Sequence, residues 1–503
     1  MKKACLSIIL ALCLMLSSCS GLFPGADPQP CALHSDTDVN GVCDRCYLSV
    51  VETFDFYAIN DLHGKFDDTD SNVGVDELTT YLKNAQKTNK NAVLLSSGDM
   101  WQGSSESNLT YGNIITEWMN ELDFTAMTLG NHEYDWGEEY ISANLELADF
   151  PFLAINIYDR QTNLPVEYCQ PSAIVEQNGA KIGIIGAIGD CYSSISSDKV
   201  EDIYFKVGDE LTELIRNESM KLRRQGADFI ILSLHDGHDR SSSGTKSIAD
   251  NEISDYYDLS LSMEGHVDLV FEGHSHSSYV LKDSYGVYHL QNGGENKGIS
   301  HARVKINYAA DVGVVVNAEF ISSSTYSRLD DDPIVDSLLQ KYEAQISAAH
   351  RVLGTLNSSL SSDAIKKIVA EEYCKLGEDT WGDEYQIVLG GGYLNTRSPY
   401  KLEAGEIRYS HVQSVLPFDN SIVLCSIKGS DLISRFINNS DYTLYFSEYG
   451  KSIKESIAPN ATYYVVVDTY SSTYAPNRLT EIKRFDDSIF ARDLLAKYIE
   501  NVS

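Results

Sequence analysis

Five short segments of this chain carry side chains that commonly bind metal ions in proteins. They are Asp61-Leu62-His63, Gly98-Asp99, Gly130-Asn131-His132-Glu133, His235 and Gly273-His274-Ser275-His276. The potential ligands are carboxylate or amide oxygens and imidazole nitrogens, and no cysteine is among them. Such a set suits zinc, manganese, iron or cobalt, and the residue types alone do not choose among these metals. The pattern predicts a site for two divalent ions, assembled from pieces that lie far apart in sequence.

Strand-like apolar runs precede these segments. They lie at Phe54–Ile59, Ala92–Leu95, Thr125–Leu129, Phe229–Leu234 and Val267–Phe271, and Lys181–Ile185 is a further candidate. Helical spacing of apolar residues recurs between the runs, near 75–88, 112–121, 138–147 and 209–225. The alternation predicts an α/β region that extends to about residue 325. Five strands would bring the ligands to one rim of a sheet, where α/β folds place their sites.

In this order, the segments resemble the signature of the calcineurin-like metallophosphoesterases. That signature is D-x-H, G-D-x-x-x-G, G-N-H-[ED], a later histidine and G-H-x-H. The segment Gly98-Asp99-Met100-Trp101-Gln102-Gly103 matches the second block. Each block is short, but five blocks in the right order are specific. The resemblance implies a four-layer αββα sandwich with a dinuclear metal centre.

The resemblance also implies a role for each side chain. The implied ligands are Asp61, His63 and His276 for one ion, Asn131, His235 and His274 for the other, and Asp99 for both. Two such ions clamp the attacking and leaving oxygens of an in-line displacement, and a bridging water molecule would attack phosphorus. His132 is implied to steady the phosphoryl oxygens or to protonate the leaving group, with Asp135 as its orienting partner.

A second region follows the predicted catalytic region. The segment Asp332–Ala349 has apolar residues on one helical face and predicts a connecting helix. An α+β region over about 353–500 then contains candidate helices near 362–375 and 487–500 and candidate strands near 421–427 and 463–468. We predict a signal peptide at 1–18, a tether with a metal-binding module at 19–51, a catalytic domain at 52–328, a linker helix at 329–352 and a substrate-binding domain at 353–503.

This two-domain layout resembles the 5′-nucleotidase branch of the family. In that branch a C-terminal domain supplies phosphate-binding arginines and aromatic side chains that sandwich the base. The segment Leu416-Pro417-Phe418-Asp419-Asn420 is similar to the branch's P-F-x-N block, which implicates Phe418 and Asn420 in substrate binding.

Two other blocks of the branch are altered in this chain. The block N-x-G-G-[IF]-R is replaced by a segment from Gly390 to Arg397, so Arg397 is a candidate phosphate-binding residue at shifted spacing. The block G-G-D-G-[YF] is replaced by Ser471–Asn477. Within it, Tyr474 could stack on a base, opposite Tyr442 or Tyr445, and stacking suits any base because each has a π-face.

The N-terminus resembles a bacterial lipoprotein signal. Lys2 and Lys3 precede an apolar stretch from Ile8 to Leu16, which is too short to span a bilayer comfortably. The sequence Leu16-Ser17-Ser18-Cys19 then matches a lipobox. The resemblance implies that Cys19 becomes the lipidated first residue, so that the protein is anchored to the membrane outside the cytoplasm.

A second potential metal site follows the tether, and two interpretations of it compete. Cys31, His34, Cys43 and Cys46 have C-x2-H and C-x2-C spacing, which can close a tetrahedral zinc site. Alternatively, Asp36-Thr37-Asp38-Val39-Asn40-Gly41 imitates the start of an EF-hand calcium loop, although Tyr47 stands where the loop's last glutamate belongs. We favour the zinc module, which is too small to form a core without such a staple.

The charge of the chain limits its partners. The net charge of −34 would repel a nucleic-acid duplex, whereas an anionic small substrate needs a local positive centre, which bound metal supplies. We predict a hydrolase of nucleotides that acts as a 5′-nucleotidase or a 2′,3′-cyclic-nucleotide phosphodiesterase. One alternative is hydrolysis of other phosphate esters or of nucleotide-sugar diphosphates. Another is a catalytically inactive surface protein that binds metal or mediates adhesion.

Overall fold

The computed structural model describes residues 31, 33–66, 73–238, 265–283, 285–473, 479–486 and 488–502. Fourteen strands form the first part: β1 Val51–Ile59, β2 Ala92–Ser96, β3 Ala126–Thr128, β4 Phe152–Leu153, β5 Ile157–Asp159, β6 Ser172–Gln177, β7 Ala180–Ile188, β8 Ile203–Phe205, β9 Phe229–His235, β10 Leu269–Glu272, β11 Tyr279–Lys282, β12 Tyr288–Gln291, β13 Gly298–Asn307 and β14 Val312–Ser322. The helices that cover them are α1 Val75–Thr88, α2 Ser105–Leu109, α3 Asn113–Glu121, α4 Glu138–Leu147 and α5 Asp209–Arg224. The predicted strands and helices of this part agree with these bounds to within a few residues.

Two six-stranded sheets stack face to face in the first part. Sheet I has the order β14-β13-β1-β2-β3-β4, and sheet II has the order β11-β12-β10-β9-β7-β6. Their inner faces share one apolar core, in which the rings of Phe56 and Phe229 stack with centroids 6.2 Å apart. Helices α1 and α3 pack outside sheet I, and α5 packs outside sheet II. The predicted four-layer αββα sandwich is therefore confirmed.

The prediction that all ligands lie at the rim of one sheet was wrong. Strands β1, β2 and β3 belong to sheet I, whereas β9 and β10 belong to sheet II. Parallel pairing joins β1 to β2 and β9 to β10, and the stacked sheets end at a common rim. An apolar run in sequence shows that a strand is buried, but its pairing partner depends on contacts across the whole chain.

A helix joins the two parts of the molecule. Helix α6, Pro333–Ile346, begins where the Asp332 side chain accepts a hydrogen bond from the amide of Ile334 at 3.0 Å. Proline stands at its first position, where no amide hydrogen is required. A short 3₁₀ turn, Ser347–His350, continues it, so the predicted span of Asp332–Ala349 agrees with the structure.

The second part is an α+β unit. Its strands are β15 Val352–Leu356, β16 Leu360–Ser361, β17 Ile387–Gly392, β18 Lys401–Leu402, β19 Gly405–Arg408, β20 Ile422–Lys428, β21 Thr443–Phe446, β22 Thr462–Asp468 and β23 Leu479–Arg484. Its helices are α7 Ser362–Trp381, α8 Tyr409–Val415, α9 Gly429–Asp431 with a π-helical continuation to Ile437, α10 Glu448–Ile453, α11 Thr469–Thr473 and α12 Ala491–Val502. The central sheet has the order β21-β17-β22-β20-β23, and α7 and α12 share one apolar cluster with it. None of the helices in the described ranges is long and apolar enough to cross a bilayer.

Candidate metal centre

The candidate ligands lie on loops that leave the strands at the shared rim. Five of the seven have left-handed backbones with φ between +50° and +68°, namely Asp61, His63, Asp99, His274 and His276. Non-glycine residues rarely adopt this conformation, and the surrounding structure must compensate for its cost of about 1–3 kcal/mol per residue. Concentration of such strain at one place is typical of a functional site.

Three of the predicted ligands form one compact group. The Nε2 atoms of His63 and His276 are 3.0 Å apart, and Nε2 of His276 lies 3.3 Å from Oδ1 of Asp61. Two imidazole nitrogens and a carboxylate oxygen thus converge on one point. This arrangement suits a divalent cation, which binds neutral imidazole and carboxylate together.

The second group lies beside the first. Oδ1 of Asn131 is 2.8 Å from Nδ1 of His274 and 3.1 Å from Nε2 of His235. The Nδ2 atom of Asn131 is buried without a hydrogen-bond partner among the described residues. Its oxygen, rather than its amide nitrogen, therefore faces the two histidines, as a metal ligand would.

Asp99 contacts both groups. Its Oδ2 lies 3.2 Å from Nε2 of His235, and the side chain also groups with His63 and with His274. Burial acts to raise the pKa of this carboxyl, but the nearby charges of His235 and His132 hold the pKa well below its ordinary value. The carboxylate is therefore ionised and has two oxygens to share between two cations.

Backbone carbonyls set the orientation of two ligand rings. Nδ1 of His63 lies 2.9 Å from the carbonyl of Gln102, and Nδ1 of His235 lies 2.7 Å from the carbonyl of Ser97. A carbonyl accepts only from a protonated nitrogen, so each ring keeps its Nε2 lone pair for a metal ion.

His132 is set apart from the ligand groups by its partners. Its Nδ1 lies 2.8 Å from Oδ2 of Asp135. Burial acts to lower the pKa of His132, but the charges of Asp135 and Asp99 outweigh it and raise the pKa above its ordinary value. The nearby guanidinium of Arg397 acts in the opposite direction. Nη2 of Arg397 donates to Nε2 of His132 at 2.8 Å.

A cavity of about 250 Å³ lies between the metal loops and the C-terminal part. Asp99, Asn131 and His132 line it from one side, and Arg397, Phe418 and Asn420 line it from the other, with Tyr393, Asn395, Asp468 and Tyr470 among the remaining residues. The Arg397 guanidinium lies 5.3 Å from the centroid of the Phe418 ring. Three of the residues predicted to bind substrate therefore line the cavity.

The predicted stacking tyrosines are not brought together there. Tyr442 packs edge-on against Phe436, with centroids 4.9 Å apart, and Tyr445 lies on β21 beneath Lys451. Tyr474 lies outside the described residues. Tyr393 and Tyr470 line the cavity instead, with ring centroids 6.1 Å apart. Tyr393 lies within the altered segment from Gly390 to Arg397, and this position is the sequence feature that could have identified it as a cavity residue.

The cysteine-rich module forms a separate cluster. Sγ of Cys31 is 3.5 Å from Sγ of Cys43, and Nδ1 of His34 is 3.5 Å from Sγ of both Cys31 and Cys46. The seven cysteines in the described ranges are free, so no disulfide explains this proximity. Asp36, the first residue of the calcium-loop alternative, accepts from the amide of Gly41 at 2.7 Å and from Nδ2 of Asn307 at 2.6 Å.

Comparison with known proteins relates the first part to one family. Residues 54–278 match the model of the calcineurin-like phosphoesterases. The first part of the chain is therefore similar to the calcineurin-like phosphoesterases over these residues. The donor set fits a dinuclear divalent-metal site of the calcineurin-like phosphoesterases, because both ligand groups and the shared Asp99 are in place. The protein is accordingly a metal-dependent phosphoric ester hydrolase, as the sequence predicted.

Two curated proteins and one solved structure resemble the chain over both parts. The apyrase of Tabanus yao is 26% identical over 419 residues, which cover 75% of this chain and 72% of that protein. Protein UshA of Yersinia enterocolitica is 27% identical over 421 residues, which cover 74% of each chain. The structure of a 5′-nucleotidase precursor from Thermus thermophilus has a TM-score of 0.65 at 18% identity, over 90% of this chain and 97% of that one. This likeness shows that the fold is shared.

Proposed function

We propose that this protein hydrolyses nucleotide phosphate esters, as a 5′-nucleotidase or a 2′,3′-cyclic-nucleotide phosphodiesterase. The main support is one cavity with two kinds of lining. It is lined by residues of the metal centre and by the aromatic residues Tyr393, Phe418 and Tyr470. The phosphate group would bind where Arg397 and the metal-centre residues line the cavity. A base gains about 1–3 kcal/mol from stacking on an aromatic face. The relatives named apyrase and the 5′-nucleotidase fold support the same substrate class.

We assign the seven ligands as the family pattern suggests. Asp61, His63 and His276 would hold one ion, Asn131, His235 and His274 would hold the other, and Asp99 would be shared by both. When bound, the metal pair supplies Lewis acidity and an activated water molecule for displacement at phosphorus. Zinc, manganese, iron and cobalt all suit these oxygen and nitrogen donors.

The remaining residues bind the phosphate and move a proton. Arg397 clamps a phosphoryl oxygen through its planar guanidinium, whose Nε is buried without a partner among the described residues. With substrate bound, a phosphoryl oxygen would replace the Arg397 contact at Nε2 of His132. The ring, then protonated on both nitrogens, would donate from Nε2 to the leaving oxygen while Asp135 holds Nδ1. Arg397 and His132 contact each other, and a phosphoryl group entering between them would accept from both.

The experiment measures substrate loss and product formation by chromatography with protein loaded with Mn²⁺ or Zn²⁺. The substrates are AMP, 2′,3′-cyclic AMP, UDP-glucose and p-nitrophenyl phosphate. AMP would give adenosine and phosphate, the cyclic nucleotide would give a nucleoside monophosphate, and UDP-glucose would give UMP and glucose 1-phosphate. We expect turnover of AMP or of the cyclic nucleotide at least tenfold faster than that of p-nitrophenyl phosphate. Preference for UDP-glucose or p-nitrophenyl phosphate would favour the alternative phosphate-ester function. Failure to cleave any of the four would favour the inactive surface protein.

We propose that Cys19 carries a lipid anchor outside the cytoplasm. The support is the lipobox-like sequence Leu16-Ser17-Ser18-Cys19, which lies outside the described residues. Mass spectrometry of the N-terminal peptide from the membrane fraction should find diacylated Cys19. Cys19→Ser should leave this fraction, and an unchanged distribution would reject the anchor.

We also propose that Cys31, His34, Cys43 and Cys46 hold one structural zinc ion, separate from the catalytic pair. The four ligand atoms lie within 4.8 Å of one another, and C-x2-C spacing is typical of closed zinc sites. Replacement by Co²⁺ gives a specific test, because only thiolate ligands produce a sulfur-to-cobalt charge-transfer band in the near ultraviolet.

That band should disappear in Cys43→Ser and persist in Cys425→Ser, the matched control at a buried cysteine on β20 of the second part. The catalytic centre contains no cysteine and cannot contribute to the band. Its absence from the wild-type protein would reject the zinc site. Stoichiometric Ca²⁺ binding in its place would support the calcium loop at Asp36, Asp38 and Asn40.

A further inference from the structure

One buried carboxylate joins the two loops that carry Asp99 and Asn131. Oε2 of Glu133 accepts from the amides of Asp99 at 2.8 Å and Gly130 at 2.7 Å. Its Oε1 accepts from the amide of Met100 at 2.8 Å. The side chain has no solvent exposure. A single group therefore satisfies amides from the loops after β2 and after β3, and leaving those amides unpaired would cost about 1–3 kcal/mol each.

The position of Asp99 depends on this arrangement. Its backbone has φ of +55°, a left-handed conformation that costs a non-glycine residue about 1–3 kcal/mol and that the surrounding structure must compensate. The two loops also touch directly, because a Cβ added at Gly98 would lie 2.7 Å from the amide nitrogen of Gly130. The amide of His132 donates to Oδ1 of Asp99 at 2.8 Å and turns its carboxylate toward the centre. Glu133 accepts hydrogen bonds from amides of both loops and so holds them together at this point.

We propose that Glu133 is the positioning residue of the dinuclear centre. Its carboxylate fixes the strained Asp99 loop against the Asn131-His132 loop, so that Asp99 stays in reach of both ligand groups and could be shared by two ions. Glu133 itself touches neither ion nor substrate. The inference rests on the proposed dinuclear centre, and it does not depend on which nucleotide is the substrate.

The test is Glu133→Gln, which keeps the shape but turns an amide NH₂ toward backbone N–H donors. The matched control is Glu218→Gln, because Glu218 is also a nearly buried carboxylate but lies on α5 and pairs with Lys221. Mn²⁺ binding is measured by calorimetry, and the exchange coupling of a carboxylate-bridged Mn²⁺ pair is measured by electron paramagnetic resonance. Mutation of a residue that hydrogen-bonds a metal ligand typically lowers metal affinity by about 10–100-fold. We therefore expect Glu133→Gln to bind Mn²⁺ about 10–100-fold more weakly than the wild type does.

The coupled Mn²⁺ signal should also weaken, and kcat should fall while KM stays near the wild-type value. Glu218→Gln should bind and couple Mn²⁺ as the wild type does. If Glu133→Gln does not fold, Glu133→Asp decides. It keeps the charge but is one methylene too short to reach both loops, so its coupled signal should weaken too.

Two coupled Mn²⁺ ions bound with wild-type affinity by a folded Glu133 variant would overturn the positioning role alone. Wild-type protein that binds no coupled pair would instead overturn the dinuclear centre, and the inference with it. The two failures are therefore distinguishable.

Discussion

The guanidinium of Arg397 lies 2.8 Å from Nε2 of His132, although 265 residues separate the two in sequence. His132 belongs to a loop of the αββα sandwich, and Arg397 follows β17 of the C-terminal part. The contact brings the candidate phosphate clamp of one part against the candidate general acid of the other. The candidate site therefore takes side chains from both parts of the molecule.

Replacing Arg397 should impair both binding and turnover. Arg397→Ala removes the guanidinium that lines the cavity, so we expect a higher KM and a kcat roughly 10²-fold lower, the usual cost of one donor to a developing charge. Steady-state kinetics with the preferred nucleotide measure both. The control is Arg408→Ala, a more exposed arginine paired with Glu406. Wild-type kinetics in Arg397→Ala would exclude it as the clamp.

His132→Ala should separate metal binding from turnover. The residue is not among the seven assigned ligands, so metal content should stay at two ions per chain by elemental analysis. Loss of a general acid typically costs about 10²–10⁴-fold in rate, and we expect kcat to fall within that range. Asp135→Asn should have a smaller effect, because the ring remains in place. Undiminished turnover would show that the assigned role is wrong.

Metal removal should abolish activity and lower stability together. A ligand that binds only the folded state at about 100 times its Kd adds about 2.7 kcal/mol to the free energy of unfolding. We therefore expect a higher melting temperature with Mn²⁺ than with a chelator. Asp99→Asn, which weakens both sites, should lose most of this difference. Asp149→Asn, at an exposed position, should keep it, and an equal shift in both variants would contradict the assignment.

A buried histidine outside the centre should make stability depend on pH. Burial acts to lower the pKa of His289, but the charges of Glu272 and Asp283 raise it to about 9, above the ordinary value of 6.5. The folded state thus binds this proton more tightly than the unfolded state. The resulting stabilisation is fully present below about pH 6.5 and is lost as the pH rises through about 9.

His289→Gln should therefore lower the urea midpoint most at pH 6, with a smaller difference from the wild type at pH 9.5. His350→Gln is the control, because His350 is exposed. A deficit in His289→Gln that does not change with pH would contradict the proposed charge network.

Local chemistry explains why the metal centre could be predicted. Each ligand lies in a short motif, such as Asp61-Leu62-His63, whose residue types are visible without any tertiary contact. Glu133 was visible in the same way, inside its motif, but received no role. The Glu133 carboxylate accepts hydrogen bonds from four backbone amides, which belong to two different loops. Which amides surround a buried carboxylate depends on how the loops pack, so these partners cannot be inferred from the sequence around Glu133.

The sequence by itself determined the strands, the metal-ligand types and the reaction class, because alternating apolar runs and ligand motifs are local properties. Tertiary structure alone decided that the ligands come from two sheets, and that Tyr393 and Tyr470 line the cavity while Tyr442 and Tyr445 do not. In a chain with 31 tyrosines, composition does not distinguish them. Which ring faces a cavity depends on packing between elements that are distant in sequence, and that packing is a property of the whole fold.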